Sequence, residues 1–103
     1  MKQNQSFFKI NYMNTLNFQI PMLNIDGVEV NPPRSLASAL AEFIGLSTKG
    51  RALKLYGWYK TLQTDGVLNL DDADMHELKE LVEGSEQMYI FVKGQILDVM
   101  LKK

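Results

Sequence analysis

The sequence predicts an α+β fold, mainly helical, in which an N-terminal β-hairpin is followed by about four helices. Three observations carry this reading. Leu16, Phe18 and Ile20 alternate with polar Asn17 and Gln19, the period of a half-buried strand. An Asp26-Gly27 pair then stands between apolar alternating runs, where a tight hairpin turn needs residues that accept positive φ. Beyond Pro33, apolar residues recur at helical spacing in four blocks, bounded by residues suited to helix ends.

Residues 1–14 are rich in Gln, Asn, Ser and Lys with scattered aromatics, and read as a loose arm before a single domain over 15–103. Met13 stands just ahead of the first periodic segment, so the upstream residues read as a leader, a misplaced start or an expression remnant. The alternating stretch Phe8 to Tyr12 offers an extra edge strand instead. The hairpin spans Leu16 to Val30, with Pro21 marking an edge or bulge because it lacks a ladder donor. Asn31-Pro32-Pro33 ends it.

Ser35 caps a first helix whose Leu36, Ala37, Leu40, Ala41, Phe43 and Ile44 form a broad apolar stripe closed by Gly45. A second helix from Arg51 to Gln63 places Leu55, Tyr59 and Leu62 on one face, with Ala52 and Tyr56 beside them. Gly57 weakens it by about 1 kcal/mol relative to alanine, which predicts a close neighbour or a kink near Trp58. Asp65-Gly66 closes the helix. Asp71 then caps a third, with Asp72 and Asp74 in the first turn where the helix dipole favours negative charge. Leu70 and Met75 occupy the hydrophobic staple positions, Leu78, Leu81 and Val82 continue the stripe, and Gly84 ends it. Ser85 caps a last helix from Glu86 to Leu101, offering Met88, Tyr89, Val92, Ile96, Val99 and Met100 to the core.

A chain of 103 residues, 46% hydrophobic and 22% charged, builds one core. With no cysteine there are no disulfides, thiolate nucleophiles or cysteine-based zinc sites, which fits a cytosolic protein. The apolar runs 88–92 and 96–101 fall short of the ~20 residues a bilayer helix needs, so no membrane is expected. A net charge of −1 exerts no general pull toward nucleic acid or anionic lipid. That average hides a segregation. Arg34, Lys49, Arg51, Lys54 and Lys60 face the single acid Glu42 in residues 34–60, a net +4. From Asp65 to Glu86, eight acids face Lys79, a net −7. Two readings remain open: helix faces that attract each other within the fold, or association between chains, with a two-fold homodimer as its simplest form.

No catalytic, metal or cofactor site is predicted. Gly45 to Ala52 has the glycine spacing of a phosphate-binding loop, but Arg51 replaces its lysine and Ala52 its magnesium-holding hydroxyl. The acids after Asp65 miss the glycine an EF-hand turn requires, and a helix cap accounts for them. His76, the one histidine, has no visible constellation around it. Two binding surfaces stand as candidates. Tyr56 and Trp58 are the candidate protein-interface aromatics, since Trp58 lies off the face that carries Tyr59. Lys49, Arg51, Lys54 and Lys60, on a hairpin that partly imitates a helix-turn-helix, form the alternative nucleic-acid surface.

The segments Ser35-Leu-Ala-Ser-Ala-Leu-Ala, Ala52-Leu-Lys-Leu-Tyr-Gly-Trp, Leu70-Asp-Asp-Ala-Asp, Leu78-Lys-Glu-Leu-Val-Glu and Val92-Lys-Gly-Gln-Ile-Leu carry a further likeness. Over Met13 to Lys103 the chain resembles a class of small uncharacterised proteins encoded by bacteriophages and prophages. The resemblance implies a bacterial or phage-infected cytosolic setting and a role in virion assembly or host interaction, and it supplies no catalytic residues. The expected function is therefore a non-enzymatic protein-interaction or assembly protein. A small nucleic-acid-binding regulator using the helical hairpin 36–63 is the alternative.

Overall fold

The computed structural model describes residues 13–102, and its fold is α+β and mainly helical, as the sequence predicts. The elements run β1 (Asn14–Asn17), α1 (Leu36–Gly45), α2 (Ala52–Thr64), β2 (Val67–Leu70), α3 (Asp72–Glu83) and α4 (Ile90–Lys102). The loose arm expected over 1–14 and the strand reading of Phe8 to Tyr12 lie outside the described residues, except that β1 already begins at Asn14.

The sheet is assembled over a long range. β1 pairs antiparallel with β2, Leu16 opposite Leu68 and Asn14 opposite Leu70. β2 is not among the predicted elements, because four residues are too few to declare a period and the partner lies across two helices. Gly66, at φ +72, turns the chain from α2 into it and accepts the Phe18 N–H at 2.8 Å. The Asp26-Gly27 turn forms as predicted, with Gly27 at φ +81, but its hairpin is short and carries one bridge, Leu23 to Glu29. Asn24 holds that turn by accepting the N–H groups of Asp26 and Val28 at 2.9 and 3.1 Å. A ladder continuous from Leu16 to Val30 is prevented at Pro21. The chain bends where Ile20 N–H reaches Phe18, and the segment then lies beside residues 34–36.

Local signals place the helices. The Ser35 hydroxyl accepts the Ser38 N–H at 3.1 Å, and the Asp71 carboxylate accepts the Asp74 N–H at 2.8 Å. α1 buries Leu36, Ala37, Leu40, Ala41 and Ile44 as its stripe requires. α4 begins four residues later than the sequence predicts. Lys93 in its first turn reaches back to the carbonyls of Glu83 and Ser85 at 3.1 and 2.8 Å, which ties the α3–α4 connection into a turn and leaves Tyr89 outside the core.

One core joins all six elements: Leu16 of β1 with Phe18 just after it, Leu68 and Leu70 of β2, and the inner faces of α1, α2, α3 and α4. Trp58 belongs to it at 8% exposure. Leu55, Trp58 and Leu62 stand at i, i+3 and i+7, so they share a helical face that Tyr59 only borders. Gly57 has no close neighbour, since a Cβ there would meet nothing within 4 Å. α4 also reaches the hairpin: the Gln95 amide accepts the Leu23 N–H at 2.9 Å and donates to the Leu23 carbonyl at 3.0 Å.

Candidate functional site

The connection from α1 to α2 brings the exposed aromatics together. Gly45 ends α1 beneath the Tyr59 ring, where a Cβ would stand only 3.1 Å from a ring carbon. Glycine therefore lets Tyr59 lie close against the end of α1. Tyr56, one turn earlier on α2 and 56% exposed, stacks on Tyr59 with centroids 6.0 Å apart and planes 14° apart. Lys60 places its ammonium 4.7 Å from the Tyr56 ring centroid. Tyr56, Tyr59, Gly45, Leu46 and Glu42 line a groove of about 470 Å³.

A second groove of about 440 Å³ runs between α1 and the start of α4 and is apolar along Phe43, Met88, Phe91 and Val92. Tyr89 stands at its side, its ring 6.3 Å from that of Phe91 and within 9° of parallel. Glu42 and Leu46 line both grooves, so the two form one continuous band across the outer side of α1. Leu46 and Tyr89 are 68% and 75% exposed, far more than core residues of their size. Arg34 pairs with Glu42 at the edge of the band and supplies its polar rim.

The structure divides the predicted site residues. Tyr56 lies in the band. Trp58 does not: it is buried in the core, so it is no surface anchor. Of the basic candidates, Arg51 meets Glu77 at 2.9 Å, and Lys54 meets Asp74 at 2.6 Å and Glu77 at 3.2 Å. Lys54 also lies 5.9 Å from the Trp58 ring centroid, so its stem covers the buried indole while its charge faces α3. Hydrogen bonding to Asp74 raises the Lys54 pKa, and hydrogen bonding to Arg51 lowers that of Glu77. The net-positive and net-negative segments thus attract each other within one chain. Among the described residues, Lys49 and Lys60 make no ion pair, which leaves two of the four basic candidates outside the α2–α3 charge network.

Leu46, Phe43 and Tyr89 are the site residues that sequence reasoning missed. Leu46 follows the end of α1 and Tyr89 precedes α4, so each looks like a boundary residue until the two helices are packed. His76 is exposed and, among the described residues, pairs with Glu80 alone, at 3.1 Å, one turn along α3. Gly45 to Ala52 is the α1–α2 turn, with Gly50 at φ +107. Among the described residues no three His, Asp or Glu side chains gather to hold a metal ion, and no helix is long and apolar enough to cross a membrane. Against known proteins, the chain matches no protein-family model, no curated protein and no solved structure.

Proposed function

We propose that this chain is a non-enzymatic protein-interaction or assembly protein that seats a partner protein on the band through Tyr56, Leu46 and Tyr89. One observation carries the reading: three large apolar side chains, each more than half exposed, are joined by two grooves with a common wall. Isolated exposed leucines and tyrosines are ordinary, whereas a connected apolar band with a charged rim has the makeup of an interface core and its border. In the setting that the phage resemblance implies, the partner is a virion or host protein, or a second copy of the chain. The nucleic-acid reading retains Lys49 and Lys60, but Arg51 and Lys54 are engaged by α3 and would have to leave their carboxylates to reach phosphate.

A photo-crosslinking residue placed at Tyr89 tests this in the bacterial cell. A discrete adduct that vanishes with Leu46→Ser supports the band, provided the same probe at Lys79 on α3 yields none. Equal adducts from both positions refute it. Salt-sensitive retardation of duplex DNA by the purified chain, lost with Lys49→Glu and Lys60→Glu, would move the function to nucleic acid.

A further inference from the structure

Ala39, Phe43 and Leu46 follow one another at i, i+4 and i+7 and form the floor of the aromatic band along α1. Their N–H groups bond within the helix: that of Ala39 donates to the Ser35 carbonyl at 3.2 Å, and that of Leu46 to the Glu42 carbonyl at 3.0 Å. On the hairpin side of the groove, Met22, Asn24 and Val30 donate theirs to the carbonyls of Arg34, Val28 and Met22 at 2.7, 2.7 and 3.0 Å. An extended segment laid along these walls meets no N–H from them, and its own main-chain groups would lose water without gaining a ladder. A helix satisfies those groups internally and presents side chains alone.

Charge is distributed unevenly along the band. Arg34 and Glu42 pair with each other. At the Tyr56 end, Lys60 holds its ammonium 4.7 Å from the ring centroid, and Lys49 lines an adjoining hollow of about 220 Å³ that shares Gly45, Tyr56 and Tyr59 with the band. Among the described residues neither lysine makes an ion pair, because Asp74 and Glu77 of α3 are taken up by Lys54 and Arg51. Two positive charges therefore stand beside Tyr56 once the Arg34–Glu42 pair is set aside.

On the reading that the band seats a partner protein, we propose that the occupant is an acidic amphipathic helix of that partner, its apolar face against Phe43, Leu46 and Tyr89 and its carboxylates on Lys49 and Lys60 beside Tyr56. Apolar residues at i, i+4 and i+7 on the incoming helix match the spacing of the α1 floor. Carboxylates in its first turn meet the two lysines and also favour the helix itself through its dipole. A second copy does not supply this helix while folded. α3, the acidic helix of this chain, has Leu78 and Val82 buried and Met75 and Leu81 packed against the core.

The test uses the full chain with a synthetic alanine-based peptide that carries leucines at i, i+4 and i+7 and glutamates in its first turn. Amide NMR should show Phe43, Leu46 and Tyr89 shifting on titration, with a Kd below about 1 mM. A proline at the centre of the peptide, or lysine in place of each glutamate, should weaken binding about tenfold or more. Lys49→Glu combined with Lys60→Glu, both at exposed positions, should reverse the preference, so that the lysine peptide binds this variant better than the glutamate peptide does. That reversal separates the charge of the site from the helix content of each peptide, which is the same against either protein. Equal binding of the two peptides, indifference to proline, or no binding of either overturns the acidic helix. The crosslink from Tyr89 in the cell then separates the two readings: a discrete adduct keeps the band as a docking surface for a segment of other chemistry, and its absence withdraws the band as well. An adduct formed by the purified chain alone, to its own residues 1–12 or to a second copy, also overturns the proposal, because it assigns the band to the chain itself.

Discussion

The Lys54 ammonium lies 2.6 Å from an Asp74 carboxylate oxygen and so joins the net-positive α2 to the net-negative first turn of α3. Asp74 already sits in a helix N-terminus that favours negative charge, so the ion pair adds to an interaction the helix supplies by itself. Glu77, one turn on, meets both Arg51 and Lys54. A charge pattern that in the sequence leaves association between chains open as an alternative is therefore accounted for within one chain.

Glu77 gives this network a pH signature. Its carboxyl ionises below the ordinary value of 4.5 in the fold, chiefly because Arg51 hydrogen-bonds to it. A lowered folded pKa contributes stability above the unfolded value, and that contribution is lost as pH falls through the folded one. Glu77→Gln should therefore melt below the parent at neutral pH, and the two melting curves should converge on acidification past that folded value. Added salt at neutral pH should narrow the gap as well. A gap that widens toward acid would contradict the pairing.

Trp58→Ala should cost about 3 kcal/mol or more in a chemical denaturation curve, because it removes a buried indole from the core. Tryptophan fluorescence of the native chain should be blue-shifted and unchanged on dilution. A red-shifted emission that moves with protein concentration would return Trp58 to the surface.

Asp71→Ala should lower stability by about 1 kcal/mol through loss of the bond to the Asp74 N–H, whereas His76→Ala should change it by less than about 0.5 kcal/mol. Urea melts of the two variants, run together, compare a residue that closes a helix end with one that pairs with an exposed glutamate.

Features set by neighbours in the chain were legible in the sequence: the caps at Ser35 and Asp71, the turn at Asp26-Gly27, the stripe of α1. Features set by distant packing were not. β2 exists because Leu68 and Leu70 meet Leu16 and Asn14 across two helices. Tyr89 leaves the core because Lys93 holds the carbonyls before it. Trp58 was open to a better reading, since Leu55, Trp58 and Leu62 follow helical spacing as well as Leu55, Tyr59 and Leu62 do. Of the band, Tyr56 could be named from sequence, but its continuity with Leu46 and Tyr89 arises only when α4 packs beside α1.

Gln95→Leu offers the most local check on how α4 holds the hairpin. The substitution keeps a side chain of similar size and strengthens an apolar position between Phe91 and Val99, so helix formation should not suffer. It removes both bonds to Leu23, whose half-buried N–H and C=O would then have to find water or remain unpaired. The loss should amount to about 1–3 kcal/mol, at the scale of leaving buried polar groups unsatisfied. Hydrogen exchange locates it: the Leu23 amide should exchange much faster in the variant, while the Asn24 amide, bonded to Val28 within the turn, should change less. Unchanged exchange at Leu23 would show that the hairpin stands without Gln95. Equal acceleration at Leu23, Asn24 and the α1 amides would show instead that this contact holds the whole domain together.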